Sequence, residues 1–257
     1  MPNRAVRVGL LSLAALVALH VNVAEAHHGR NFLIVFSADL PHPREIYLIP
    51  HVEIIRTHHG TSVESEPTLI AGITQRMALE IHSHIGREPG DRWRYGGTAP
   101  AVHLRLTPPD NPWGVAASLE YEFNHLEGQD NRFESRLVLS RTIGAAKFAV
   151  NVFAERGGHH GETGHGHEEE EPEDPDHEAS PETAWWYAGG IRTRLIDRLD
   201  WGVEAQGRLN RTTGHELLVG LYAEPASRVT VNVGAGFGLG REGADFTLRG
   251  ALVLRLR

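Results

Sequence analysis

From Ser227 to Arg257 the chain reads SRVTVNVGAGFGLGREGADFTLRGALVLRLR, and apolar residues alternate with polar ones through both halves of the stretch. Val229, Val231, Val233, Ala235 and Phe237 share one face, with Thr230, Asn232 and Gly234 on the other. On the return, Phe246, Leu248, Leu252, Leu254 and Leu256 alternate with Thr247, Arg249, Ala251, Val253 and Arg255. A period of two means strand, because successive side chains point to opposite faces. Two arginines on the polar face do not fit a dry core, so that face is expected to look onto water. This is the dyad pattern of a transmembrane β-barrel.

Similar segments recur along the chain, and strands are expected at 45–56, 63–72, 75–84, 99–107, 113–124, 131–141, 145–156, 183–196, 199–209, 214–224, 227–239 and 243–256. Twelve antiparallel strands close a barrel with both ends of the chain on the periplasmic side. The long or polar connections 86–98, 125–130 and 157–182 then fall outside the cell, and short ones such as Ile73-Thr74 and Asp197-Arg198 fall at periplasmic turns. Pro50 makes the first strand the weakest, since proline tolerates only edge or bulged positions.

At the start of the chain, Arg4 and Arg7 precede the apolar run GLLSLAALVALHVNV, and Ala24-Glu25-Ala26 forms a small-x-small cleavage site. Residues 1–26 therefore read as a secretory signal peptide rather than a membrane anchor, and 27–44 as an N-terminal segment able to plug the barrel formed by 45–257. The chain has no cysteine, which excludes disulfides, thiolate metal sites and cysteine nucleophiles. Net charge −8 without a basic cluster disfavours nucleic acid as a partner.

Alternation assigns the lumen Glu80, Arg105, Glu120, Glu122, Glu134, Arg136, Arg192, Arg194, Glu204, Arg208 and Arg249. Opposite charges such as Glu204 and Arg208 are expected to pair into ladders. Trp113, Tyr121, Trp185, Trp186, Tyr187 and Trp201 suit interfacial girdles, where an amphipathic ring sits half wet. A soluble periplasmic β-sandwich is the competing fold, and it requires the apolar faces to meet in a dry core.

Two turn phrases, LIAGITQRMALEI at 69–81 and IRTRLIDRLDWGV at 191–203, join the closing VGLYAEPASRVTVNVGAGFGL at 219–239. Together they resemble the transporter-like outer-membrane barrels of the MetA pathway of phenol degradation, over roughly residues 68 to 256. The resemblance implies a Gram-negative outer-membrane barrel passing small solutes, with outer-membrane lipid and the barrel-insertion machinery as partners. It transfers no binding residue. Such chains usually end on an aromatic residue, where this one has Leu256-Arg257.

The segment 157–182, GGHHGETGHGHEEEEPEDPDHEASPE, holds five histidines and ten carboxylates and no Lys or Arg. It carries −10 of a chain total of −8, so the remainder is +2. Without apolar residues to bury, it is expected to be a disordered outer loop. Imidazole beside carboxylate is a ligand set for zinc, nickel or copper, which makes His159, His160, His165, His167 and His177 candidate metal ligands; the plainer alternative is a solvated charge run. His82 and His84 project from one strand face about 7 Å apart. With a third ligand such as Glu80 they could share an ion, or they simply line the lumen. The amine and imidazoles of His27-His28 would be a further copper chelate after cleavage at Ala26.

No catalytic motif accompanies Ser135, Ser140 and His125, the residues a rim hydrolase would draw on, so the chain is not expected to be an enzyme. The expected function is an outer-membrane pore or transporter for a small solute, with divalent transition-metal ions as the leading ligand. The alternatives are a channel for small apolar or aromatic molecules, and a non-transport structural or metal-sequestering protein.

Overall fold

The computed structural model describes residues 31–126, 129–157, 183–209, 214–240 and 244–257. Residues 1–26, read above as a signal peptide, His27-His28 and all five histidines of 157–182 lie outside these residues. Twelve strands follow in chain order: β1 (Ile46–Thr57), β2 (Gly60–Thr74), β3 (Met77–Arg87), β4 (Arg94–Arg105), β5 (Trp113–Asn124), β6 (Arg132–Ile143), β7 (Ala146–Gly157), β8 (Ala184–Ile196), β9 (Leu199–Arg208), β10 (His215–Ala226), β11 (Val229–Leu239) and β12 (Phe246–Arg255). Each pairs antiparallel with its chain neighbours, and β1 pairs with β12, so the sheet closes and no edge remains. Among the described residues no helix is long and apolar enough to cross a membrane. The crossing is made by strands.

A strand of twelve residues is about 40 Å long and, tilted by about 45°, spans about 28 Å, enough for the apolar band about 25 Å tall that such barrels present to lipid. Leu137, Val150, Val219 and Val233 are 46–54% exposed on the outside, while Glu204 and Asn151 are 0% exposed inside. That inversion excludes a soluble sandwich, because only lipid satisfies an apolar exterior of this extent. The closed sheet is an outer-membrane-type barrel.

The β4 boundary and the proline in β1 are both decided by strand pairing. Strand β4 begins at Arg94, not 99, because Arg94, Tyr95 and Gly97 pair with Gly86, Ile85 and His84 of β3. Pro50 does not break β1: it sits opposite Pro67 of β2. Toward β12 the register passes from Leu48↔Leu254 to His51↔Ala251 with unchanged offset. The missing proline N–H costs a rung and does not shift the strand.

The lumen is not the water-lined channel that the polar face suggested. Residues 31–42 lie against its wall, and small apolar groups form around them: Phe32 and Val35 with Ala149, Phe153 and Ala188; Leu33 with Leu218 and Tyr222; Ala38 with Ala116 and Val138. Trp186, expected at the membrane interface, belongs to this interior. It stacks on Phe153 with ring centroids 6.1 Å apart, and the Arg208 guanidinium lies over its ring at 5.5 Å.

Candidate functional site in the barrel lumen

The N-terminal segment is held by its backbone. Consecutive N–H groups of Leu33, Ile34 and Val35 donate to the two oxygens of Glu204 at 2.7–2.9 Å, and the Tyr222 hydroxyl donates to the same carboxylate. Successive amides converging on one anion form a nest, which suits a buried carboxylate that would otherwise lack solvation. The segment then sweeps along the wall. Phe36 exchanges two bonds with the Asn151 amide, Ala38 N–H donates to Ser140 Oγ, and Asp39 meets Lys147 at 2.6 Å and Arg105 at 3.5 Å. Arg192 anchors the far end, donating to the Asn31 carbonyl and to Asp200. Gly72 is where the segment leaves the wall for β1, and a Cβ there would run into the carbonyl oxygen of His42.

Further toward the outer ends of the strands, β2 to β5 present a second feature. Glu64 and Glu66 of β2, Glu80, His82 and His84 of β3, His103 of β4 and Glu120 and Glu122 of β5 all face inward. Gly97, Ala99 and Ala101 on the inner face of β4 leave room for β3 and β5 to meet across it. His82 thus lies 3.3 Å from Glu80 and 3.6 Å from Glu120; His84 lies 2.8 Å from Glu64 and 3.8 Å from Glu122; His103 contacts Glu80 at 3.0 Å. Five carboxylates face three imidazoles, with Arg132 shared between Glu122 and Glu155 at the border. Neutral imidazoles would leave the cluster strongly negative. A cation, whether proton or metal, is what relieves it.

The two features touch. Phe36 of the segment stacks on His103 with centroids 6.1 Å apart, and Arg136 lies 4.2 Å above both Phe36 and Phe153. A small cavity between them is lined by Phe36, Leu40, Ile70, Glu80, His103 and Ser118.

Of the lumen residues read from alternation, Glu80, Glu122, Glu134, Arg192, Glu204 and Arg249 are buried, and their partners differ from those expected. Glu204 does not pair with Arg208, which lies four residues, or about 13 Å, along the same strand; it takes the backbone of residues 33–35. Arg136 pairs with Glu134, Arg249 with Glu53 and Glu216, and Arg194, near the β8–β9 turn, with Asp200. Glu80 serves His103, and the carboxylate whose ligand oxygen gathers with His82 and His84 is Glu66, all three lying within 4.8 Å. The register Ser65↔Ile85 and Thr68↔His82 puts Glu66 opposite His84. Sequence spacing carried no trace of that pairing. Ser140 is committed to Ala38, while His125 stacks on Tyr95 beyond the opposite strand ends, so they do not meet.

No protein-family model matches the chain, and no curated protein matches it. Solved structures do. The NanC porin superposes with a TM-score of 0.56 at 12% identity, covering 81% of this chain and 100% of the porin. The COG4313 outer membrane channel from Pseudomonas putida F1 gives 0.57 at 11%, covering 92% and 100%. The KdgM porin in complex with disordered oligogalacturonate gives 0.55 at 10%, covering 83% and 99%. The fold is theirs. At these identities the likeness is one of fold, and it supports the outer-membrane barrel without reaching the MetA-pathway type that the turn phrases resemble.

Proposed function

We propose that this chain is an outer-membrane channel for small cationic solutes, divalent transition-metal ions among them, closed by its own residues 31–42. The observation that carries the reading is the carboxylate and imidazole wall of β2 to β5, which faces inward above the seated segment. A lumen wall of that charge concentrates cations and repels anions. The same charge gives apolar or aromatic cargo no favourable interaction with this wall, which is what sets the cation reading above the aromatic one. The reading takes residues 1–26 as a cleaved export signal and the barrel as resident in the outer membrane.

Planar-bilayer recording tests the proposal. Protein lacking residues 31–41 should conduct steadily with a reversal potential on the cation side in a salt gradient, and Glu120→Gln with Glu122→Gln in that background should reduce the preference. Absence of conductance from the shortened protein, or anion selectivity, overturns the reading.

The histidine-rich segment would act as a capture loop at the mouth. Imidazole binds metal only when neutral, so zinc or nickel uptake by the loop should be full near pH 7.5 and fall as the histidines protonate around their ordinary pKa of about 6.5. Deleting residues 159–178 should leave heat-modifiable gel migration unchanged and remove part of this pH-dependent uptake. Equal calorimetric uptake by intact and deleted proteins would reduce the segment to a solvated charge run.

A further inference from the structure

We infer that Glu66, His82 and His84 form a binding site for one divalent transition-metal ion inside the barrel. Their ligand atoms lie within 4.8 Å of one another. Ligands on a tetrahedral zinc bonded at about 2.0–2.1 Å are ~3.3 Å apart, so rotamer adjustments of about an ångström and a half close the site around an ion. The scaffold favours this. Two histidines spaced by one residue on β3 project the same way, and the β2–β3 register brings Glu66 against them from the neighbouring strand. The two imidazoles already stand edge to face, with centroids 5.1 Å apart.

A second observation points to a ligand. His82 is 4% exposed, yet its Nδ1 makes no hydrogen bond, the nearby Glu80 oxygen at 3.3 Å being poorly placed for one. His84 Nε2 is likewise buried without a hydrogen bond. Buried ring nitrogens without a hydrogen bond are costly unless something binds them. Two imidazoles and a carboxylate suit zinc, nickel or copper better than magnesium or calcium, which prefer all-oxygen shells. Three protein ligands leave one position open, as a site that must release its ion requires. Glu64 and Glu120, each beside one of the histidines, would orient the rings. As a station for cargo this site rests on the cation channel proposed above; as a binding site it stands without it.

The test uses the full-length protein folded in detergent, loaded with cobalt(II) or zinc. Histidines of segment 157–182 are present in every sample, so the difference between variants isolates the lumen. The His82→Gln and His84→Gln double variant should take up one zinc fewer than the parent and lose the visible cobalt band of a low-coordinate nitrogen site. Glu66→Gln, which preserves shape, should weaken that site by at least about tenfold, the size seen even for outer-shell changes. Unchanged zinc count and unchanged cobalt spectrum in both variants overturn the site and leave an ion-pair network. Should the double variant fail to fold, Glu66→Gln alone decides by the same two readouts. Cation selectivity of the protein lacking residues 31–41 is measured separately, so that loss of the site and loss of the channel reading are told apart.

Discussion

Glu204→Ala is expected to unseat the N-terminal segment and open a barrel that stays folded. Its carboxylate accepts three consecutive backbone N–H bonds and the Tyr222 hydroxyl, and it is wholly buried. Hydrogen bonds to a charged group contribute about 1.5–3 kcal/mol each. Even if the three amides together lose only about 3 kcal/mol of seating energy, the ratio of seated to unseated forms falls about 150-fold. The barrel itself should survive, because its ladders run strand to strand and β9 pairs through backbone atoms that the substitution leaves in place. Single-channel recording should show long openings where the parent is closed, and limited proteolysis should cut within 31–42. Glu204→Gln retains an acceptor and should fall between. A parent and variant equally closed would mean that the segment is not the closure.

Val233→Arg should largely abolish assembly. Val233 sits mid-strand in β11, opposite Leu221 of β10 and Gly250 of β12, and is 46% exposed on the outer face. Arginine near the bilayer midplane of such a barrel costs about 2–4 kcal/mol, a large share of the stability of an ordinary domain. The folded fraction on an unheated detergent gel should drop, while Val233→Leu leaves it unchanged. The inward neighbours demand a small control. Asn232 and Thr247 lie on the polar inner face, where a water-lined lumen would accept arginine, yet these side chains are 1% and 0% exposed, so bulk there overpacks a filled interior. Asn232→Ser is the variant that should fold normally. Full assembly of Val233→Arg would remove lipid from the outer face and with it the barrel in a membrane.

The periodicity of two in β11 and β12, and its echo in β7 and β9, was enough to number the strands and assign inside and outside, because which face a side chain takes is a local property of an extended backbone. Glu204, Arg192, His82 and His84 could be placed on the inner wall for that reason alone. What each inner residue touches was not legible. Glu204 lies far along the chain from Leu33, and only closure of β1 onto β12 brings the seat under the segment. Glu66 reaches His84 through a register that one residue of slip would reverse, turning the carboxylate to lipid. Trp186 reads like any interfacial tryptophan, and packing on Phe153 claimed it for the interior. The alternation of the chain therefore determined the barrel and its two faces, whereas tertiary closure decided that the lumen is filled and which charges meet in it, since those contacts join residues whose neighbourhood exists only once the sheet is a cylinder.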